Sequence, residues 1–494
     1  MIQNILYKST RGQKENFTSS QAIIQGLAED GGLFVPDRIP KIKEELHLIK
    51  NLSYKEMAYF VMSKFLTDFT EEELKECIEK AYGSKFDTTE IAPLKKVDDT
   101  YFLELFHGPT LAFKDMALSI LPYLLKTAAK KEKVESEIVI LTATSGDTGK
   151  AALEGFSEVP GVKIIVFFPE EGVSEIQKMQ MRTHKGSNTY VIGINGNFDD
   201  AQTGVKEVFA DKEFGKRLKQ SNYIFSSANS INIGRLIPQI VYYFHAYAEL
   251  FRRGEIIWGD KINVTVPTGN FGNILAAYYA KNMGLPIDKL ICASNSNKVL
   301  FDFLMSGKYD KNRDFVTTIS PSMDILISSN LERLLYSLSN GDSRRVNELM
   351  ENLKTKGNYE ISEAMKKGLL DFIGGYTDEE ETRNAISEVF KSHKYLMDTH
   401  TAVAYSVYKV NKVDNRKNVI ISTASPYKFT ASVMRAIDLK YNQLDDFKLL
   451  KEMSKLLGSF VPMQIKDIET SAIVHNSICD KNEIKTMVGK ILFH

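Results

Sequence analysis

The sequence predicts an α/β protein built on mostly parallel sheets, and three observations predict it. Short apolar runs alternate with helical segments through the middle of the chain. Those runs end in Gly, Ser, Thr, Asn or Pro, which mark strand-to-helix turns. The runs are near-continuously apolar, as strands covered on both faces must be. The length of 494 residues suggests about two or three domains.

The elements follow in order. Residues 1–90 read as a mainly helical opening. Gly31, Gly32 and Pro36 punctuate a turn, and Thr70 caps a helix over 71–80 with helical charge spacing. A strand is expected over 101–106, before a helix that is apolar through Leu118, Ile120, Leu121 and Leu125. Further strands are expected over 137–144, 162–168, 189–194, 262–266 and 419–422. Helices are expected from Ala151, Ser174, Phe198 and Asn273. Residues 328–393 turn helical and polar, with Gly357 and Gly374-Gly375 as breaks, and the tail after Asp438 reads as mostly helix. The expected division is a helical region 1–90, a large α/β domain of 91–140 and 229–440, a small one of 141–228, and an extension 441–494. Open parallel sheets bind ligands beyond the carboxyl ends of their strands.

Composition narrows the function. Hydrophobic content of 43% and charged content of 26% are those of a globular protein. Lys plus Arg and Asp plus Glu both number 63, so nothing marks a nucleic-acid binder. Lys130 and Lys131 read as a solvated helix end. Cys77, Cys292 and Cys479 form neither a disulfide framework nor a zinc pattern. No secretion signal and no run of about 20 apolar residues is found, so a cytoplasmic protein is expected.

Five segments carry candidate chemistry. In HGPTLAFKD (107–115), Lys114 falls at the start of a helix with an apolar flank. The helix dipole and burial would both favour its neutral, nucleophilic form, as condensation with an aldehyde cofactor requires. A surface lysine is the plain alternative. TATSGDTG (142–149) offers amides and hydroxyls to an anion, or is a capped turn. GNFGN (269–273) can form an amide nest for phosphate, and it matches neither the nucleoside-triphosphatase loop nor the dinucleotide fingerprint. In SANSINIGR (227–235), Arg235 opens an apolar helix and can fork onto a phosphate or pair with a carboxylate. Thr423 in STASP (422–426) offers a hydroxyl to a ring nitrogen or serves as a cap. His400 reads as a hydrogen-bonded structural histidine and Trp258 as core. No serine-hydrolase or zinc-hydrolase motif is present.

Together these segments resemble the threonine synthase family of fold-type II pyridoxal-phosphate enzymes, nearly end to end. YKSTR (7–11), GGLFVP (31–36), INGNFD (194–199) and DTHTAVA (398–404) also fit. The resemblance implies two doubly wound, mostly parallel-sheet domains of the tryptophan-synthase-β-like type, with a helical N-terminal region and helical C-terminal additions. It implies pyridoxal 5'-phosphate as cofactor and O-phospho-L-homoserine as substrate, converted with water to threonine and phosphate in a monomer or homodimer. Lys114 would bond the cofactor aldehyde. Gly269, Asn270, Phe271, Gly272 and Asn273 would cradle the cofactor phosphate. Asp147 would lie near its phenolic oxygen, and Thr423 would meet its ring nitrogen. Ser145 and Thr148 would meet the substrate's carboxylate or phosphate, and Asn229, Ser230 and Arg235 would hold the substrate phosphate. Many relatives carry His where Ser425 stands. The rival readings are a phospho-lyase releasing 2-oxobutyrate, phosphate and ammonia, a serine or threonine dehydratase, and a non-catalytic nucleotide-binding module.

Overall fold

The structure, a computed structural model, describes residues 4–493 except 145, 172, 413–414 and 467. Two sheets organise it. A six-stranded sheet runs in the spatial order Phe372–Tyr376, Ile287–Ser294, Ile262–Pro267, Asn418–Ser422, Thr100–Glu104, Leu94–Val97. All its pairings are parallel except the hairpin between Leu94–Val97 and Thr100–Glu104. A five-stranded parallel sheet runs Ser477–Asp480, Thr189–Asn195, Val162–Pro169, Glu137–Ala143, Tyr223–Ser226. The inner strands are buried along nearly their whole length, which accounts for their unbroken apolar character.

Strand order in the large sheet builds the site. Asn418–Ser422 lies between Ile262–Pro267 and Thr100–Glu104, parallel to both. The segments that follow these three strands are GNFGN, STASP and the lysine turn, far apart in sequence and side by side at one sheet edge. In the small sheet, the turn after Glu137–Ala143 and the segment after Tyr223–Ser226 are neighbours for the same reason.

Helices cover both sheets, and the sequence explains their limits. Thr70 accepts from the Glu73 amide at 3.3 Å, and Glu73 Oε2 accepts from the Thr70 amide at 2.9 Å, opening Glu71–Ala81. Ser174 and Asn197 make the same reciprocal cap on Glu175–Arg182 and Phe198–Ala210. The helix after Lys114 is in two pieces, Asp115–Leu118 and Leu121–Lys131, with Pro122 in the first turn of the second. One core packs the N-terminal helices against Leu121–Lys131 and the long helix Ile233–Arg252. A second lies between the large sheet and the helices around 385–453, and a third under the outer face of the small sheet. Among the described residues no helix is long and apolar enough to cross a membrane.

Three expectations are corrected. Glu137–Ala143 belongs wholly to the five-stranded sheet, so that unit begins before residue 141. The tail is not only helical: Ser477–Asp480 adds an edge strand beside Thr189–Asn195, and Ile484–Phe493 joins the core beneath it. Gly374-Gly375 is not a break but lies inside the edge strand Phe372–Tyr376. A Cβ at Gly375 would meet Val407 Cγ1 at 2.4 Å, so glycine there permits the close approach of the helix Thr399–Val410. Ile287–Ser294, a buried neighbour of Ile262–Pro267, was not anticipated.

The helices flanking the active face touch backbone to backbone at Gly155, where a Cβ would lie 2.3 Å from the Leu118 carbonyl oxygen. Gly155→Ala should therefore destabilise the protein by about 1–3 kcal/mol in denaturant titration. Gly215→Ala, in Lys212–Gln220 with nothing within 4 Å of the added methyl, should raise stability by about 0.5–1 kcal/mol.

Candidate active site

The turn that carries Lys114 is held from both sides. Asp115, fully buried, accepts from the Thr110 amide at 2.8 Å and the Thr110 hydroxyl at 2.6 Å. Burial pushes its carboxyl up to about 6 against those hydrogen bonds. The Phe113 amide donates to the Thr423 carbonyl at 2.8 Å and the Ser425 amide to the Leu111 carbonyl at 3.0 Å. These bonds form an antiparallel bridge at Ala112 and Ala424 beyond the parallel pairing of the two strands and set Lys114 beside Thr423. Leu111 takes a left-handed φ of 60°, a strained conformation for leucine that this stitching imposes.

Lys114 Nζ lies 3.1 Å from Asp147 Oδ2, inside the structure with 11% of the side chain exposed. The Asp147 carboxylate has four partners. Ser322 Oγ donates to Oδ2 at 3.0 Å, Gln177 Nε2 donates to Oδ1 at 2.8 Å, and Lys428 Nζ sits 2.9 Å from Oδ1. Lys428 is itself buried and donates to the Thr110 carbonyl at 2.8 Å. Burial would neutralise Asp147, but Lys114 and Lys428 overcome it and hold the carboxyl well below its ordinary range. The Lys114 ammonium is disfavoured chiefly by burial, opposed by Asp147 and reinforced by Lys428 and Arg235, so its pKa is lowered. The sequence reading credited the helix dipole as well. Asp115–Leu118 has only four residues, so its dipole is slight and burial is the main cause.

The predicted residues converge on one cavity of about 1150 Å³. It is lined by Lys114, Thr148, Asn229, Ser230, Arg235, Thr423 and all of residues 269–273. Asp147 stands behind Lys114 through the ion pair. Ser145 lies outside the described residues. Phe271 is left-handed, with φ 64°, immediately before the helix Gly272–Met283, an arrangement that turns successive amides toward one point. A Cβ at Gly269 would fall 2.7 Å from the Ser322 carbonyl oxygen, so glycine is required by the close turn at Pro321–Met323. Asn330 ties the two anion segments together: its Nδ2 donates to Ser230 Oγ at 3.1 Å and to the Asn270 carbonyl at 3.0 Å.

Two buried donors on this cavity lack partners. Arg235 Nη1 donates to the Ala228 carbonyl at 2.8 Å, but its Nε has no partner among the described residues. No carboxylate pairs with it within salt-bridge distance among those residues, which removes the structural ion-pair alternative. Burial pulls its guanidinium down to about 10. Asn273 Oδ1 accepts from Tyr242 and Tyr243, each at 2.6 Å, while its Nδ2 is unpartnered. An unsatisfied buried donor costs about 1–3 kcal/mol. A buried amine, an amide nest and orphaned donors fit an aldehyde that carries a phosphate, as pyridoxal phosphate does.

Sequence reasoning missed Lys428, Gln177, Ser322 and Asn330. A lysine inside the apolar stretch 426–434 was a readable signal for Lys428, and the others show none. His400 is structural and also lines the cavity: Nδ1 is 2.7 Å from Asp398 Oδ2, and Nε2 accepts from the Ser322 amide at 3.1 Å. Ser425 is buried and caps the short helix Pro426–Phe429 that presents Lys428.

His107, at the head of the lysine turn, bonds Asp87 at 2.6 Å and Glu104 at 3.1 Å. Burial works against its charge, but the two carboxylates prevail and raise its pKa from 6.5 to about 9. The stabilisation is therefore complete below pH 6.5 and lost as pH rises through about 9. Chemical denaturation across that window should show falling stability, and His107→Asn should flatten the dependence.

A family model described as "Threonine synthase N terminus" matches residues 6–82, and one described as "Pyridoxal-phosphate dependent enzyme" matches residues 88–423. Threonine synthase of Pseudomonas aeruginosa is 40% identical over 439 residues, covering 87% of this chain and 90% of that protein. Threonine synthase-like 1 of Homo sapiens is 41% identical over 456 residues, and the match spans 89% of this chain but only 60% of that longer protein. Among solved structures, pyridoxal-phosphate-bound threonine synthase from Brucella melitensis superposes with a TM-score of 0.87 at 35% identity, over 99% of both chains. On this evidence the chain belongs to the threonine synthase family of pyridoxal-phosphate-dependent, fold-type II enzymes.

Proposed function

We propose that the chain is a threonine synthase, converting O-phospho-L-homoserine and water to L-threonine and phosphate. The observation that carries this reading is the pair of anion-binding stations in one cavity. The Gly269–Asn273 turn suits the cofactor phosphate. Arg235, with its unpartnered Nε and with Asn229 and Ser230 beside it on the cavity wall, suits a second phosphoryl group. A dehydratase acting on serine or threonine has no use for the second station. A nucleotide-binding module has none for a buried lysine of lowered pKa. The threonine synthases among the relatives support the same reading.

Pyridoxal phosphate, when bound, supplies the electron sink that makes the substrate's Cα and Cβ protons removable. Lys114 takes the proton at Cα, and its lowered pKa favours the neutral amine that a base requires. Asp147, ionised between two lysines, keeps the Lys114 amine oriented and gives the site a fixed negative charge. Arg235, Asn229 and Ser230 grip the phosphoryl group at Cγ and retain it after the C–O bond breaks, where it can accept a proton from the water adding at Cβ. Thr423 would offer an uncharged hydroxyl to the ring nitrogen, and Thr148, on the cavity wall, would meet the substrate's carboxylate or phosphate.

Lys114→Ala should abolish the visible absorbance of the holoenzyme and lower turnover by at least about 10³-fold. An unaltered spectrum and rate would refute its assignment. Arg235→Ala should reduce kcat/KM for phosphohomoserine by about 10²-fold, with little effect on any residual use of homoserine. Product analysis tests the activity itself: threonine supports the synthase, whereas 2-oxobutyrate with ammonia would replace it with the phospho-lyase.

A further inference from the structure

A second cavity, of about 350 Å³, lies behind the helix that begins at Asp147. The helices Asp147–Phe156 and Glu175–Arg182 form two of its sides, and residues 464, 466, 468 and 471 form another. Three polar side chains sit deep in it: Gln180 is 2% exposed, and Lys150 and His184 are each 8% exposed.

Their hydrogen bonding is incomplete in a particular sense. Lys150 Nζ lies 3.2 Å from Glu154 Oε2 and 3.0 Å from His184 Nδ1. An ammonium only donates, so Nδ1 is the acceptor and the ring proton sits on Nε2. Burial, with the Lys150 charge acting in the same direction, pushes the imidazole down to about 4, which keeps it neutral. The Nε2–H is thus a buried donor, and it has no partner among the described residues. The side-chain amide of Gln180 is unpartnered at both Nε2 and Oε1. Native proteins rarely leave such groups empty-handed. Lys185 and Lys466 stand at the exposed rim, so among the described lining residues three lysines face one glutamate, Glu154.

We infer that this cavity is a second binding site, for a small oxyanion of the phosphate or carboxylate class. Its oxygens would accept from His184 Nε2, Gln180 Nε2 and the Lys150 ammonium. Water could satisfy the amide and the imidazole but would leave the cationic excess unanswered. The site adjoins the catalytic one. Lys150 is one turn from Asp147 on the same helix, and Gln180 is one turn from Gln177, which donates to Asp147. Gln464, on the remaining wall, donates to the Gly108 carbonyl in the lysine turn at 3.4 Å. The walls of the second cavity are therefore tied to the catalytic one, through Thr148 on its lining and through the hydrogen bonds of Gln177 and Gln464.

The test is a thermal-unfolding titration of the full-length holoenzyme with inorganic phosphate and, separately, with acetate, at ionic strength held constant with chloride. General salt effects rise without saturating, whereas a site saturates. The expected result is a saturable rise in Tm with at least one anion, and the anion that gives it identifies the source. The rise should persist in Arg235→Ala. In Gln180→Leu the midpoint should move to at least about tenfold higher anion concentration. Without anion, Gln180→Leu should unfold no lower than the parent, because the amide it replaces bonds nothing among the described residues. Lys466→Ala, at the exposed rim, should give a smaller shift of about threefold. The inference is overturned if neither anion gives a saturable rise, if the rise survives Gln180→Leu unchanged, or if it disappears in Arg235→Ala alone.

Discussion

The carboxylate of Asp147 is the interaction on which the site depends. Taking a carboxylate and two ammonium groups out of water costs several kcal/mol per ion. The structure offsets that cost by giving both oxygens of Asp147 two partners each: Lys114 and Ser322 on one, Lys428 and Gln177 on the other. These partners come from four separate stretches of chain, with Gln177 beside the small sheet and the other three beside the large one, so the carboxylate joins the two units of the fold. Removing any one partner would leave a buried charge under-compensated, which makes the cluster hard to change piecemeal.

The same cluster sets the chemistry. The proposed role of Lys114 as nucleophile and base calls for a lowered pKa, and burial provides it. Asp147 opposes that shift, while Lys428 restores part of it by occupying the carboxylate's other oxygen. Lys428 is thereby a positioning residue, fixed by the Thr110 carbonyl and by the short helix that Ser425 caps. The serine at position 425 serves this local capping role.

The sequence made much of this legible because turns after buried parallel strands carry their own signature. Lys114, the 269–273 turn and Thr423 stand in such turns, and Asp147 and Arg235 in the first helical turn that follows one, so a reading for strand-to-helix junctions finds them. The strands it missed include Ile287–Ser294, with two charged residues near its start, the edge strand Phe372–Tyr376, whose glycines resemble a break, and the short strands Leu94–Val97 and Tyr223–Ser226. Gly374 and Gly375 are there because neighbouring helices crowd the sheet, and crowding by distant residues leaves no local trace. The strand Ser477–Asp480 was hidden similarly, since its partner Thr189–Asn195 lies almost 300 residues earlier.

Local chemistry, then, was determined by the sequence itself: which turns can hold an anion, which lysine stands at a strand end, and which residues cap the helices. These depend on a few adjacent residues and their backbone preferences. Tertiary structure alone decided the pairings: which strands lie side by side, that Lys428 and Ser322 reach Asp147, that Arg235 is left with an open donor, and that Gln180 and His184 share a second cavity. The reason is physical. Burial and charge compensation are properties of a three-dimensional neighbourhood, and no window of sequence contains the partners that create them.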